Sequence, residues 1–466
     1  MGYDIENERD RPLSFDWHAP NLGLLLGLPP ARNAALERSM SSVLACAILA
    51  VETGQRVSYS RRTNFYANSS RYRGTAFTYV NVLSSIAALD AAGLIIDARS
   101  RPGRLGRQSI FVASDELIDA WDDQADQLAH HPGEIIRLKN TAGELIDYRD
   151  TRETRRMRSD LDELNEYLAG LLIDVPGAER RGHHMVFKDE HGADYYVLPK
   201  PSNALYRVFS RGSFEMHGRA YGWFQNVPKA ARASLTINGE PVVEADYRSL
   251  HPTILYNQAG IRFSGDAYDV DGFERSDVKV GFNVMVNARN RNAAIWAVAD
   301  AIGPDAKRRR EEQAAAKAHA IRTGNVQRRQ KPIKREFCSA GDRRLADSVI
   351  TALEHLHKPI KHRFSSDAGV GLMRIDSELA LGATKAMNDN GAPALPVHDA
   401  LIVPARFANQ ATAKMVEVFE QIVGTANPCT VSIKGDSSSA AYHKVDSAAA
   451  GPPLLSALIG PRPRGW

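Results

Sequence analysis

Cysteine is scarce: three in 466 residues, at positions 46, 338 and 429, with no paired spacing. That excludes a disulfide framework and a cysteine-held zinc, and it fits a reducing, cytoplasmic compartment. Residues 1–11 are acidic and carry no apolar signal region. No stretch approaches the length of a membrane span, so no membrane partner is expected. An excess of one charge is missing too. The 59 Lys and Arg against 55 Asp and Glu leave a formal net charge of +4, so basicity matters only where it clusters. What remains is ordinary globular composition, 43% hydrophobic and 24% charged. The length suffices for roughly two to four domains.

Residues 1–30 read as an arm. Residues 32–51 predict a helix with a long apolar face, and "TAFTYVNVLSSIAALDAAGLI", beginning at Thr75, predicts a second, stopped by Gly93. "LIIDARSRPGRLGRQSIFVAS" follows as an apolar strand, a basic Gly/Pro turn and an apolar strand. Helices followed by a basic hairpin make a winged helix-turn-helix over 31–118. In it the helix from Thr75 would face the groove, and Arg99, Arg101, Arg104 and Arg107 would meet phosphates. The same arrangement also serves protein contacts alone. Residues 119–204 read as a charged helical connector, thumb-like in position, with Arg152, Arg155, Arg156 and Arg158 clustered on one helix as a solvated face or a nucleic-acid contact. His183, His184 and His191 lie near the hairpin "MVFKDEHGADYYVLP" without metal-ligand spacing. The most basic run, 307–335, sits in an insertion at 302–345 and reads as a helix or a disordered loop. The tail, 436–466, is rich in Ser, Ala, Pro and Gly and reads as loose.

Two carboxylates stand out. In "EADYRSLHPTILY" a strand ends at Asp246 and a helix begins, so Asp246 caps that helix or serves chemistry. In "ALPVHDALIVPA" the pair His398-Asp399 turns an apolar hairpin, where Asn-Gly would serve a turn better. Acids on neighbouring strand ends can hold two divalent cations about 3.5–4 Å apart and clamp a phosphoryl transfer. Between them "ERSDVKVGFNVMVNARNRNAAIWAVAD" predicts one long helix. Its Arg275 and Lys279 share a face, either an exposed basic surface or a grip on a triphosphate.

An acid, then an Arg-x3-Lys helix, then His-Asp, in that order, resembles motifs A, B and C of family A DNA polymerases, the polymerase I kind. Motif A there reads Asp-Tyr-Ser-Gln-Ile-Glu; here it is Asp246-Tyr247-Arg248-Ser249-Leu250-His251, and Ser249 to Pro252 is also similar to the Ser-Leu-Tyr-Pro of family B enzymes. Upstream, Gly218-Arg219, Gln225-Asn226-Val227-Pro228 and Arg232 resemble the stretch before motif A. The likeness spans about 205–431. It departs at His251, where family A has Glu and family B has Tyr. Phe282 comes one residue early, Asn287 and Ala288 replace a Tyr-Gly, and Ala400 replaces a Glu.

The resemblance implies an α+β right-hand polymerase, with palm and fingers at 205–435 behind the winged helix. Asp246 and Asp399 would be the catalytic, metal-holding acids, with two Mg²⁺ ions (Mn²⁺ as a substitute). Arg275, Lys279, His251, Phe282, Asn287 and Tyr247 would surround the incoming dNTP. His398, Arg219, Gln225 and Arg232 would touch the primer-template, and Asp376 would come near the site from the helix "LMRIDSELALGATKAM". No segment before 205 resembles a proofreading exonuclease. The implied activity is template-directed addition of dNTPs to a DNA primer, in replication from a phage, plasmid or other mobile element. A primase or RNA polymerase on the same fold is the first rival, an inactive polymerase-like DNA-binding regulator the second, and a two-metal nuclease the third.

Overall fold

The computed structural model describes residues 10–20, 22–67, 70–100, 108–122, 128–189, 192–322 and 338–435. It is a mixed α+β protein of two compact units. Among the described residues the first comprises 10–214 with Ala220–Gly239, the second Glu215–Arg219 with 240–435. The expected turn arginines Arg101, Arg104 and Arg107, His191, residues 323–335 of the basic run and the tail from 436 lie outside the described residues.

In the first unit the helix Ala34–Val51 packs on the helix Tyr79–Ala91. Asn33 caps the former, its Oδ1 accepting from the Leu36 N–H at 2.9 Å. Thr78 caps the latter, so that helix starts at Tyr79 and not at Thr75. It ends where Gly93 takes φ 74°, which a side chain would resist. The strands Ile95–Ala98 and Ser109–Ala113 pair antiparallel, Ile95 opposite Ala113. The sheet order is Arg11–Pro12, Val57–Tyr59, Ser109–Ala113, Ile95–Ala98. One expectation is corrected here. Ala34–Val51 is long and apolar enough to cross a membrane, although its run from Val43 to Ala50 is buried in the core of this unit.

The helix Arg152–Ala169 opens on a Thr151–Thr154 capping box. Its Arg158 is taken up by Glu134 at 3.2 Å and Asp150 at 3.0 Å, which leaves that guanidinium little charge to offer a ligand. The hairpin expected around 185–199 forms from His184–Lys188 and Asp194–Val197, with Glu179–Arg181 added as a third strand.

The second unit is built on an antiparallel sheet. The strand Glu240–Arg248 lies between Ala400–Pro404 and Thr430–Lys434, and Leu395–Val397 pairs outside Ala400–Pro404. The helices Gly369–Asn388 and Ala408–Ile422 pack together and against this sheet. The single long helix expected from 274 to 300 is two, Arg275–Asn287 and Arg291–Ile302. The chain breaks because Ala288 turns extended and the Asn290 side chain accepts from the Ala293 N–H at 2.8 Å, which starts a new helix. Ala340–Leu356 crosses the first of these closely. A Cβ at Gly281 would sit 3.0 Å from Val349, so glycine there permits the approach.

Candidate active site

Strand alternation sets the site. Val243, Ala245 and Tyr247 are buried at 4%, 0% and 4% exposure, so Glu244, Asp246 and Arg248 point to the opposite face. The strand runs on to Arg248, and Ser249, at φ 48°, precedes the helix Leu250–Ala259. Asp246 is therefore a strand residue and not the cap of that helix. Its register partner is Ala400, the residue after Asp399. Asp399 itself sits in the two-residue turn between Val397 and Ala400. Its turn neighbour His398 takes φ 58°, where hairpins usually place Gly or Asn. A non-glycine residue in left-handed backbone thus adjoins Asp399, and another, Ser249, follows Asp246 by three residues, a form of local strain that often marks functional sites.

Electrostatics ties these residues together. Burial pushes the Asp246 carboxyl up and the charge of Asp399 pushes it further; a hydrogen bond and the charge of Lys434, with the charge of Lys279, act the other way and do not fully offset it. Lys434, opposite Glu244 in the register, contacts Asp246 and lies 3.4 Å from Glu244. Burial would lower its ammonium, but the bond and charge of Asp246, then Glu244, hold it above the ordinary lysine value. Lys279 is exposed and makes no hydrogen bond or ion pair among the described residues.

The other expected contacts divide. Arg275 is held by Asp266 at 2.5 Å and lies over the Tyr268 ring at 5.3 Å. His251 donates from Nε2 to Asp376 at 3.3 Å, and Arg219 donates to the same carboxylate at 2.5 Å. Asp376 is fully buried. Burial would raise its carboxyl, but the Arg219 charge and the bonds from His251 and Arg219 hold it below the usual range. Asn287 donates to the Asn283 carbonyl at 2.8 Å, and His398 is exposed.

Two expected nucleotide contacts are corrected. Phe282 has no exposed surface and packs edge-on to Tyr268, His357 and Phe364, so it is core. Tyr247 is buried against Phe419 and donates its hydroxyl to the Met415 carbonyl. Gln225 and Arg232 belong to the first unit. Arg99 is exposed and paired with Asp97 at 3.0 Å.

No family model matches the chain, and no curated protein matches it. Among solved structures, the POL domain of Pol1 from M. smegmatis, in complex with DNA primer-template and dNTP, matches at 14% identity and a TM-score of 0.24. The match covers 60% of this chain and 51% of that one, so this chain spans about half of it. At that TM-score the likeness does not define the fold.

Among the described residues no group of three or more His, Cys, Asp and Glu is placed to hold a metal. The Asp246 and Asp399 pair nonetheless fits a hard divalent cation. Both are oxygen donors, and their mutual repulsion is what a cation would relieve. A cation needing few protein ligands and completed by substrate phosphates suits such a pair. Lys434 and Asp266 escaped sequence reasoning. The hint for Lys434 was its place in the alternating strand "TVSIK", which puts it on the face of the paired strand that carries Glu244 and Asp246.

Proposed function

We propose that the chain is a template-directed nucleotidyltransferase, a DNA polymerase that adds dNTPs to a primer 3′ end and carries no proofreading exonuclease. The observation that supports this best is the meeting of Asp246, Asp399 and Lys279, acid, acid and unpaired cation, drawn from three separate elements. Asp246 and Asp399 would hold two Mg²⁺ (or Mn²⁺), which supply charge neutralisation for the attacking and leaving oxygens when bound. Lys279 binds the triphosphate as a point charge, and Arg275 joins it by leaving Asp266. His251, fixed by Asp376, fills space over the sugar 2′ position and disfavours a ribose. Arg219, on the same carboxylate, faces the primer-template side with His398. In this reading 31–118 is a winged helix-turn-helix guiding DNA, 119–204 the connector, and 205–435 the palm and fingers of a right hand.

A second reading has one observation in its favour. Lys434 already pairs with Asp246, as it would in a silent, polymerase-like regulator. Primer extension with dNTPs or rNTPs in Mg²⁺ and in Mn²⁺ decides among them. Template-dependent growth with dNTPs is the expected result. Growth with rNTPs alone makes the chain a primase, primer shortening makes it a nuclease, and no reaction in either metal makes it a regulator.

A further inference from the structure

The first unit contains a cavity of about 600 Å³, within the range of small-ligand sites. Its wall includes Trp121, His183, Leu128 and Pro199, and its charged members include Arg180 and Lys200. Glu52, following the helix Ala34–Val51, builds one side. Its carboxylate accepts from the His183 backbone N–H at 2.9 Å and meets His183 Nδ1 at 2.6 Å and His184 Nδ1 at 2.7 Å. Gly182 sits at φ 55°, and a Cβ there would lie 2.3 Å from Glu52, so the turn closes around this carboxylate only with glycine. The clamp sets the His183 ring against Trp121, centroids 6.0 Å apart, and Trp17, 6.4 Å. With Nδ1 on a carboxylate, Nε2 is the nitrogen left to meet a ligand.

The charges around the cavity are unequal. Glu52 is shared between two imidazoles. Arg180 is paired with Asp174 at 2.5 Å and half exposed. Lys200 is half-buried and makes no hydrogen bond or ion pair among the described residues; burial lowers its ammonium below the ordinary value. A bound anion would relieve that burial. Asp16 offsets that burial only in part. The cavity therefore joins flat π surface to a cation that makes no direct ion pair among the described residues, which calls for a flat ring carrying an anionic group.

We propose that this cavity binds a nucleotide, with the base against Trp121 and His183 and the phosphate against Lys200 and Arg180. Bases stack on aromatic side chains whatever their sequence, and cations hold the phosphate. The nucleotide is either free or one unit of a single strand. The inference does not rest on the polymerase reading.

The test uses the full chain carrying Asp246→Asn and Lys279→Ala, so that the proposed polymerase site does not contribute. Calorimetry measures AMP and inorganic phosphate, and anisotropy measures a labelled oligothymidylate. AMP should bind at least tenfold tighter than inorganic phosphate. Lys200→Glu and Trp121→Leu should each weaken AMP tenfold or more, while Lys200→Arg and Trp121→Phe, which keep charge and ring, stay near the parent. If the oligomer binds tighter than AMP and loses affinity in the same variants, the source is a single strand; if AMP alone shows these effects, it is a free nucleotide. The proposal is overturned if AMP does not bind the parent, if inorganic phosphate binds equally well, or if Lys200→Glu and Trp121→Leu bind AMP as the parent does.

Discussion

Burial and a neighbouring carboxylate both act against the ionised form of Asp246, and only cations justify its position. A group whose folded pKa lies above its unfolded value adds stability at low pH and loses it as pH rises through the folded value. At pH 7 the ionised Asp246 therefore weakens the fold. Asp246→Asn and Asp399→Asn should each abolish primer extension while duplex affinity stays nearly unchanged, because phosphate contacts hold the backbone. Without divalent ions Asp399→Asn should melt no lower than the wild type, and adding Mg²⁺ should raise the melting temperature of the wild type alone. Extension and thermal melts on the same preparations check both; a wild type indifferent to Mg²⁺ would remove the metal assignment. These acids were legible because a carboxylate inside an apolar strand is hard to explain by packing. Lys434 was not, because a lysine on a short polar strand is common and its pairing with Asp246 exists only after the sheet forms. Tyr247 and Phe282 misled for a related reason. Motif spacing places a residue on an element, but helix rotation and strand alternation decide which way it points.

Within elements, the helix Arg275–Asn287 presents two cations in different states. Lys279 makes no ion pair among the described residues, whereas Arg275 is paired with Asp266, a bond that the proposed grip on a substrate would have to break. Lys279→Ala should raise KM for dNTP and lower kcat/KM roughly ten- to a hundred-fold, the equivalent of about 1.5–3 kcal/mol for a charge-assisted contact. Arg275→Ala should lose less, and steady-state kinetics with each variant would show the order; equal kinetics for both variants and wild type would take the helix out of the site. A second element-level expectation concerns Gly369–Asn388, which carries Asp376 into the interior. Asp376→Ala leaves Arg219 without that carboxylate and should destabilise by about 3–5 kcal/mol in urea unfolding. The sign of its pH dependence follows from the depressed carboxyl. Its contribution is present above the unfolded value and is lost as pH falls through the lower folded value. The sheet hairpin and most helices were legible from periodicity. The break at Ala288 was not, since nothing in "VNARNRN" distinguishes an interior Asn from the cap Asn290 becomes.

Over the whole molecule, the basic stretch shows why composition and function diverge. In the helix Pro304–Arg322, Lys307, Arg308 and Arg310 lie near Asp277, Asp305 and Asp300. Replacing the three with Gln should flatten the salt dependence of DNA binding by well under three phosphate equivalents, each worth about 0.9 in the log–log slope. A loss of three or more would mean all three reach DNA. The motifs suggested an order of segments along the chain. The grouping of 10–214 into one unit was not, because it depends on pairings such as Ile136–Leu138 running parallel to Tyr206–Ser210 across a long stretch of chain. The helix Ala34–Val51 carries a further consequence, for synthesis rather than function. It leaves the ribosome before Tyr79–Ala91, the helix that covers it. At roughly 5–20 residues per second, an apolar segment of membrane-spanning length stands uncovered for on the order of seconds. During that interval the nascent chain presents the signature that targeting factors and chaperones read, and its yield in a heterologous host will depend on which of them reaches it first.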